Sequence, residues 1–117
     1  MSERPLGWLG SSQDDLRDFP GAVRVMFGVA LFEAQKGGTH EIVKALKGYK
    51  GHLVFQASED FDGDTYRVIY VTHPEAVYVV HAFKKKSTRG IATPQADKDL
   101  ITERLKTLVR RRKEHHQ

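Results

Sequence analysis

The residues of this chain best suited to chemistry are cations at two places. Arg67 stands inside the mostly apolar run Tyr66-Arg67-Val68-Ile69-Tyr70, where an apolar residue would pack more easily. Burying a guanidinium group there is unfavourable unless it faces a groove or meets an anion. A second group, Lys84-Lys85-Lys86-Ser87-Thr88-Arg89, follows the apolar run that ends at Phe83. If the two runs are neighbouring strands, the guanidinium and the lysines can hold one phosphate together.

Such a cationic corner suits the cleavage of RNA without a metal ion. The 2′-hydroxyl attacks the neighbouring phosphorus, a base removes its proton, and cations stabilise the charge that develops on the phosphoryl oxygens. The candidate catalytic residues are Arg67, the lysines Lys84, Lys85 and Lys86, of which one could move a proton, and His81 as a proton carrier at the end of its strand. Two simpler interpretations stay open: a solvated basic strand end for the lysines, and a structural role for His81.

Other kinds of site find little support in the sequence. The chain has no cysteine and hence no disulfide and no thiolate ligand. Asp60-Phe61-Asp62-Gly63-Asp64 has the wrong register for a calcium loop, so it predicts an acidic β-turn. No histidine pair has the spacing of a helical zinc site, and no glycine-rich phosphate loop follows a strand. We expect neither a metal nor a cofactor.

The elements that must position these cations can be inferred from periodicity. Leu6 to Leu9 predicts an edge strand, and a short helix then leads to Phe19-Pro20. Apolar residues spaced by 3, 1, 3, 1 and 3 positions within residues 20–36 predict a second helix. Residues 53–57, 65–72 and 76–83 predict an antiparallel three-stranded meander, because their links are too short for crossover helices. Thr93-Pro94 opens a final helix.

This order predicts an α+β fold: a small twisted antiparallel sheet with an N-terminal helical hairpin and a C-terminal helix packed on it. The 117 residues predict a single domain, with a core over residues 5–110 and a basic tail over residues 110–117. The N-terminus lacks the layout of a signal peptide, and no apolar run could span a membrane. We therefore expect a cytoplasmic protein without a membrane partner.

The charge is divided unevenly along the chain. Residues 1–80 hold 8 lysines and arginines against 11 acids, whereas residues 81–117 hold 11 against 4. A basic C-terminal third on a near-neutral body favours a polyanion or an acidic protein as the partner, although a solvated basic helix would look the same.

The same segments resemble the RelE/ParE superfamily of toxins from type II toxin–antitoxin modules, and within it the HigB-like, phage-associated branch. The residues that carry the resemblance are Leu46-Lys47-Gly48, the run from Asp62 to Tyr70, the run from His81 to Ser87, and Thr93-Pro94. Their order and spacing are more specific than any one of them. The similarity in element order covers about residues 5–110 and implies a RelE-like fold.

The resemblance implies a ribosome-dependent mRNA endoribonuclease that inhibits translation and is silenced by a helix-turn-helix, HigA-like antitoxin. Arg67 matches the arginine of the family's Tyr-Arg strand, and Lys85 and Lys86 match the paired lysines after the family's phenylalanine. RNA-backbone contacts are expected from the cations nearby, which are Lys84, Arg89, Lys44, Lys47 and Lys50. The oligomeric state is not implied.

This chain also departs from the family pattern. Gln56-Ala57-Ser58 replaces the Glu-Leu-Arg of many members, and no tyrosine follows Tyr78. Two alternatives to the nuclease therefore remain open: a ParE-like toxin that inhibits DNA gyrase, and a non-catalytic domain that binds an antitoxin or nucleic acid.

Overall fold

The structure is a computed structural model that describes residues 3–86 and 93–115. Three helices and five strands follow one another in the order β1 (Leu6–Trp8), α1 (Ser12–Arg17), α2 (Gly21–Gln35), β2 (Val43–Leu46), β3 (Val54–Phe61), β4 (Asp64–His73), β5 (Ala76–Lys86) and α3 (Gln95–His115). The α+β class is confirmed, as are the helical hairpin and the C-terminal helix.

The five strands form one sheet in the order β1-β5-β4-β3-β2. Strands β3, β4 and β5 form the predicted antiparallel meander, with Arg67 opposite Phe83 on one side and opposite Ser58 on the other. The sheet as a whole is mixed, because β1 joins the edge of the antiparallel meander by pairing with β5 in parallel, with Leu6 opposite Val77. Parallel neighbours need a long connection, and here it consists of α1, α2 and the strands β2 to β4.

Strand β2 was missed altogether. It is four residues long and pairs antiparallel with β3 at the edge of the sheet, with Lys44 opposite Gln56. A short edge strand with exposed central residues carries little hydrophobic alternation, so the sequence pattern is too weak to predict it.

The meander strands are longer than predicted. Strands β3 and β4 run up to a two-residue turn at Asp62 and Gly63, whose φ values are 51° and 84°. Two consecutive positive φ values are typical of a type I′ hairpin turn, which favours Asp-Gly. Strand β5 extends to Lys86, so Lys84, Lys85 and Lys86 belong to the sheet instead of following it.

The helices also differ in detail from their predictions. Ser11, not Ser12, occupies the cap position of α1, and its Oγ donates a hydrogen bond to Oδ2 of Asp15 at 2.7 Å. Helix α3 begins after Pro94, as predicted, and continues to His115, so residues 110–115 of the expected tail are helical. No helix among the described residues is long and apolar enough to cross a membrane.

Each face of the sheet is covered by a different part of the chain. Helix α2, with Val23, Phe27 and Leu31, packs on the face that presents Val68 and Tyr70. Helix α3 packs on the opposite face through Ile101, Leu105 and Leu108, which meet Ile69, Val71 and Val80. Because side chains alternate along a strand, Arg67 lies on the α3 face with Ile69.

Candidate active site on the α3 face of the sheet

Arg67 lies where the α3 face of the sheet meets the start of α3. It is 7% exposed, and its Nη1 donates a hydrogen bond to Oγ1 of Thr93 at 3.4 Å. Thr93 directly precedes Pro94, and the carbonyl of Pro94 accepts from the backbone N–H groups of Asp97 and Lys98. The guanidinium therefore lies near the positive end of the helix dipole, where an anion is stabilised.

Lys85 is the lysine that shares this face with Arg67. It lies opposite Thr65, two residues along β5 from Phe83, which itself lies opposite Arg67. Partial burial and then the charge of Arg67 lower the pKa of the Lys85 ammonium from its usual range. A lysine of lowered pKa next to a guanidinium can bind a phosphate and also exchange a proton.

Successive side chains of a strand point to opposite faces, so the lysines of β5 do not all lie on the face of Arg67. Lys84 lies opposite Tyr66 on the α2 face, and its Nζ is 3.6 Å from Oδ2 of Asp64. The backbone of Lys86 pairs with that of Asp64. Arg89 lies outside the described residues, so the structure says nothing of its position.

His81 is in the interior of β5 and not at its end, which corrects the prediction. It is 4% exposed, and its ring stacks on Phe83 with centroids 5.0 Å apart. Nη1 of Arg104 donates to Nδ1 at 3.1 Å, and Nε2 lies 2.7 Å from Oδ1 of Asp97. Since arginine only donates, Nδ1 accepts, and the N–H group at Nε2 donates a hydrogen bond to Oδ1 of Asp97. With both nitrogens engaged by α3, this geometry favours the structural role of His81.

Several residues around Arg67 escaped the sequence analysis. Gln56 is buried on the same face, and its Nε2 donates to Oγ of Ser58 at 3.2 Å. Ser58 lies directly opposite Arg67. Thr93, Asp97 and Arg104 come from α3 or from its start, some 26 to 37 positions away from Arg67. For Gln56 and Ser58 the sequence offered one signal: the triplet Gln56-Ala57-Ser58 stands where many members of the family have Glu-Leu-Arg.

The lysines predicted to contact RNA from the β2 edge of the sheet do not surround Arg67. Lys44, Lys47 and Lys50 are all exposed, on β2 and on the loop that follows it. Strand β3 lies between β2 and β4, which separates Lys44 from Arg67 by one strand. These lysines could extend a cationic surface away from the corner, but they do not form part of it.

The described residues contain no group of three or more histidine, cysteine, aspartate or glutamate side chains arranged to hold a metal ion. The side chains at the corner offer a guanidinium for two phosphate oxygens, an ammonium of lowered pKa, and neutral hydrogen-bonding groups.

Comparison with known proteins adds an independent finding. Residues 14–106 match the protein family described as "Phage derived protein Gp49-like (DUF891)". This match includes the whole meander, Arg67, the lysines of β5 and the first half of α3. A search of curated proteins finds no match.

Proposed function

The chain belongs to the Gp49-like family of phage-derived proteins, a RelE/HigB-like toxin family, and from this premise we propose that it is a ribosome-dependent mRNA endoribonuclease. The family is associated with the toxins of toxin–antitoxin modules, and this implies an antitoxin partner. The proposal goes further and assigns the reaction, the target and the residues that act.

The observation that carries the proposal is the burial of Arg67 beside Lys85 and the start of α3. A guanidinium at this depth is held in place by its surroundings, among them Oγ1 of Thr93. It suits the scissile phosphate of RNA, because two N–H groups of arginine match two phosphoryl oxygens. The charge on those oxygens grows in the transition state, so a fixed cation accelerates the reaction.

Proton transfer in the proposed reaction rests on Lys85. Its lowered pKa increases the fraction of neutral amine, which can take the proton of the attacking 2′-hydroxyl. Once protonated, the same Lys85 returns the proton to the leaving 5′-oxygen, so that one lysine serves both halves of the proton transfer. His81 acts as a positioning residue that ties β5 to α3. The reaction needs no cofactor, because attack, charge stabilisation and proton transfer are all provided by RNA and these side chains.

The wider surface serves the ribosome in this proposal. Lys84, Arg89, Lys44, Lys47 and Lys50 contact RNA backbone, which contributes affinity and little sequence information. The resemblance of the meander to the HigB-like branch supports a HigA-like, helix-turn-helix antitoxin as the silencing partner. Since the target is the translating ribosome, the proposed site of action is the cytoplasm.

The test compares the native chain with Arg67→Ala and with Arg17→Ala, which removes an exposed arginine from α1. Each protein is added to a cell-free translation reaction, and the reporter mRNA is mapped by primer extension. We expect new cleavage ends with the native chain and with Arg17→Ala. For Arg67→Ala we expect cleavage to fall by about 10²- to 10³-fold, as for the loss of one transition-state donor.

The outcomes separate the proposed function from its alternatives. Circular dichroism of Arg67→Ala should match the native chain, so that a lost activity cannot be ascribed to unfolding. Cleavage by a folded Arg67→Ala variant would contradict the role of Arg67. Intact mRNA with arrested replication in expressing cells would instead identify a gyrase-type toxin, and intact mRNA with normal growth would identify a binding domain.

A further inference from the structure

A second concave surface, distant from the Arg67 corner, runs along the C-terminal half of α3. Two cavities of about 340 and 260 Å³ lie between this half of the helix and the loop of residues 48–52. They share His52 and Val109, so they form one continuous groove. We call it the α3 groove. Its helix side extends from Thr102 to Lys113, which is about 16 Å along the axis at 1.5 Å per residue.

The floor of the α3 groove is apolar. Leu105 and Val109 line it from the helix, and Tyr49 lines it from the loop. Val109 is 38% exposed, whereas most large apolar side chains of α3 are buried against the sheet. An apolar floor between two elements of the fold can take the side chains of a ligand.

The rim of the α3 groove is cationic. Lys50 and Lys106 line the first cavity, and Arg112 and Lys113 line the second. The three lysines are exposed, while Arg112 is engaged in an ion pair with Glu75 at 2.7 Å. None of the described residues that line either cavity is acidic. The groove therefore combines apolar contact with an attraction for negative charge.

We propose that the α3 groove binds an acidic, amphipathic peptide segment of a partner protein. Leucine-like side chains of the segment pack on Leu105 and Val109, and its carboxylates pair with Lys50, Lys106 and Lys113. A length of about three helical turns, or 11 residues, matches the groove. The negative charge of the peptide complements the groove, because the charged residues of the lining are lysines and an arginine.

RNA fits this groove less well than such a peptide. Single-stranded RNA is held by aromatic faces on which its bases stack. Three rings line the two cavities, those of Tyr49, His52 and His73, and all three are half-buried. The side chains that α3 contributes to the floor, Leu105, Leu108 and Val109, are aliphatic. Aliphatic side chains offer no ring for a base to stack on, whereas they suit the leucine or valine of a peptide.

The inference rests on the proposed function in one respect: the segment would belong to the antitoxin. It adds a mechanism of inhibition. Lys50 is one of the lysines proposed to contact ribosomal RNA, so a segment bound in the groove would cover part of that surface. Inhibition would then act by blocking the ribosome and would leave the Arg67 corner uncovered.

The test measures binding of a fluorescein-labelled synthetic peptide of about 14 residues, with leucines at helical a and d positions and glutamates elsewhere. Fluorescence anisotropy is recorded with the full-length chain, with the double variant Lys106→Glu/Lys113→Glu, and with Val109→Ser. The matched control is Arg110→Glu/Arg111→Glu, which reverses the same number of charges on exposed residues of the same helix that line neither cavity.

We expect saturable binding to the native chain that weakens at least about tenfold in Lys106→Glu/Lys113→Glu and about fivefold in Val109→Ser. The dissociation constant of the Arg110→Glu/Arg111→Glu control should stay within about twofold of the native value, because salt screens exposed charges that lie outside the groove. A peptide of the same composition with its leucines scrambled should bind at least about tenfold more weakly.

Three results would overturn the inference. The control variant could weaken binding as much as the groove variant, or the scrambled peptide could bind equally well. A single-stranded RNA oligonucleotide could also bind through Lys106 and Lys113 while the peptide does not. The Arg67→Ala variant should bind the peptide normally, so loss of the nuclease proposal would leave this result unchanged, and the reverse also holds.

Discussion

The two faces of the sheet are packed with different chemistry. The face under α1 and α2 buries aromatic and aliphatic side chains, such as Phe19, Phe27 and Tyr70. The face under α3 also has an apolar core, but it buries Gln56, Arg67 and His81 beside it. The apolar core of the α3 face is centred on Ile69 and Val71. Gln56 and His81 lie on either side of Ile69 in the sheet, and Arg67 lies two residues from Ile69 along β4.

This difference indicates which face contributes mainly to stability and which face also carries functional groups. Apolar burial stabilises the fold on both faces, whereas burial of a guanidinium and an imidazole adds little net stability and needs compensating bonds. The structure shows such bonds on the α3 face, from Arg67 to Thr93 and between His81 and both Asp97 and Arg104. The α3 face therefore gives up packing for a polar group that it must hold in place, as expected for a site.

The largest effect on stability should come from the α2 face. Phe27 is fully buried and packs edge-to-face on Phe19, with ring centroids 6.0 Å apart. We expect Phe27→Ala to lower the free energy of unfolding by about 3–5 kcal/mol, because it removes apolar contacts and leaves a cavity. Urea denaturation measures this. Phe32→Ala, on the same helix but 43% exposed, is the control and should change it by less than about 1 kcal/mol.

The polar group of the α3 face should contribute less to stability. Asp97→Ala leaves the buried Nε2–H of His81 without its acceptor, which costs about 1–3 kcal/mol. The control is Asp99→Ala, whose carboxylate accepts an exposed bond from Gln95 and should matter by less than about 0.5 kcal/mol. We also expect Asp97→Ala to reduce mRNA cleavage, because the bond between Asp97 and His81 ties the start of α3 to β5, the strand next to Arg67. An equal loss of stability in both variants would show that the bond between Asp97 and His81 is not the source of the effect.

The smallest expected effect lies at the far end of the α3 face, where Arg112 pairs with Glu75. The hydrogen bond from Arg112 is the main reason why the pKa of Glu75 falls from 4.5 to about 2. A lowered carboxyl pKa stabilises the folded state above pH 4.5, and that contribution is lost as the pH falls towards 2. Because both side chains are about one-third exposed, we expect about 0.5–1 kcal/mol.

The measurement for this pair is the urea midpoint of the native chain and of Glu75→Gln between pH 2 and pH 7. The two proteins should differ at pH 7 and converge near pH 2. Glu114→Gln removes an exposed acid from α3, the helix that carries Arg112, and serves as the control. Its urea midpoint should follow that of the native chain at every pH. A difference that is independent of pH would show that the ion pair is not the source of the effect.

Much of the fold followed from local patterns. The apolar stripe of α2, the start of α3 at Pro94 and the three meander strands were predicted because periodicity and turn residues act over a few positions. Strand β2 and the parallel pairing of β1 were not, since a strand of three or four residues is stabilised mainly by the partner it meets.

The candidate site divides in the same way. The sequence predicted that Arg67 and the lysines after Phe83 belong to neighbouring elements, and the structure brings Arg67 and Lys85 to one face. The placing of Lys84 on the opposite face depended on how far β5 continues, which residue types alone do not decide. His81 was assigned to a strand end for the same reason.

The sequence by itself determined which residues alternate, where turns and helix starts fall, and which positions carry charge, because these depend on backbone preferences and side-chain chemistry within a few residues. Only the tertiary structure decided which groups meet. Asp97 and Arg104 reach His81, Thr93 reaches Arg67, and α3 forms a groove with the loop of residues 48–52. The physical reason is that these contacts join residues that are far apart in the chain. Their distances are set by the packing of α3 on the sheet.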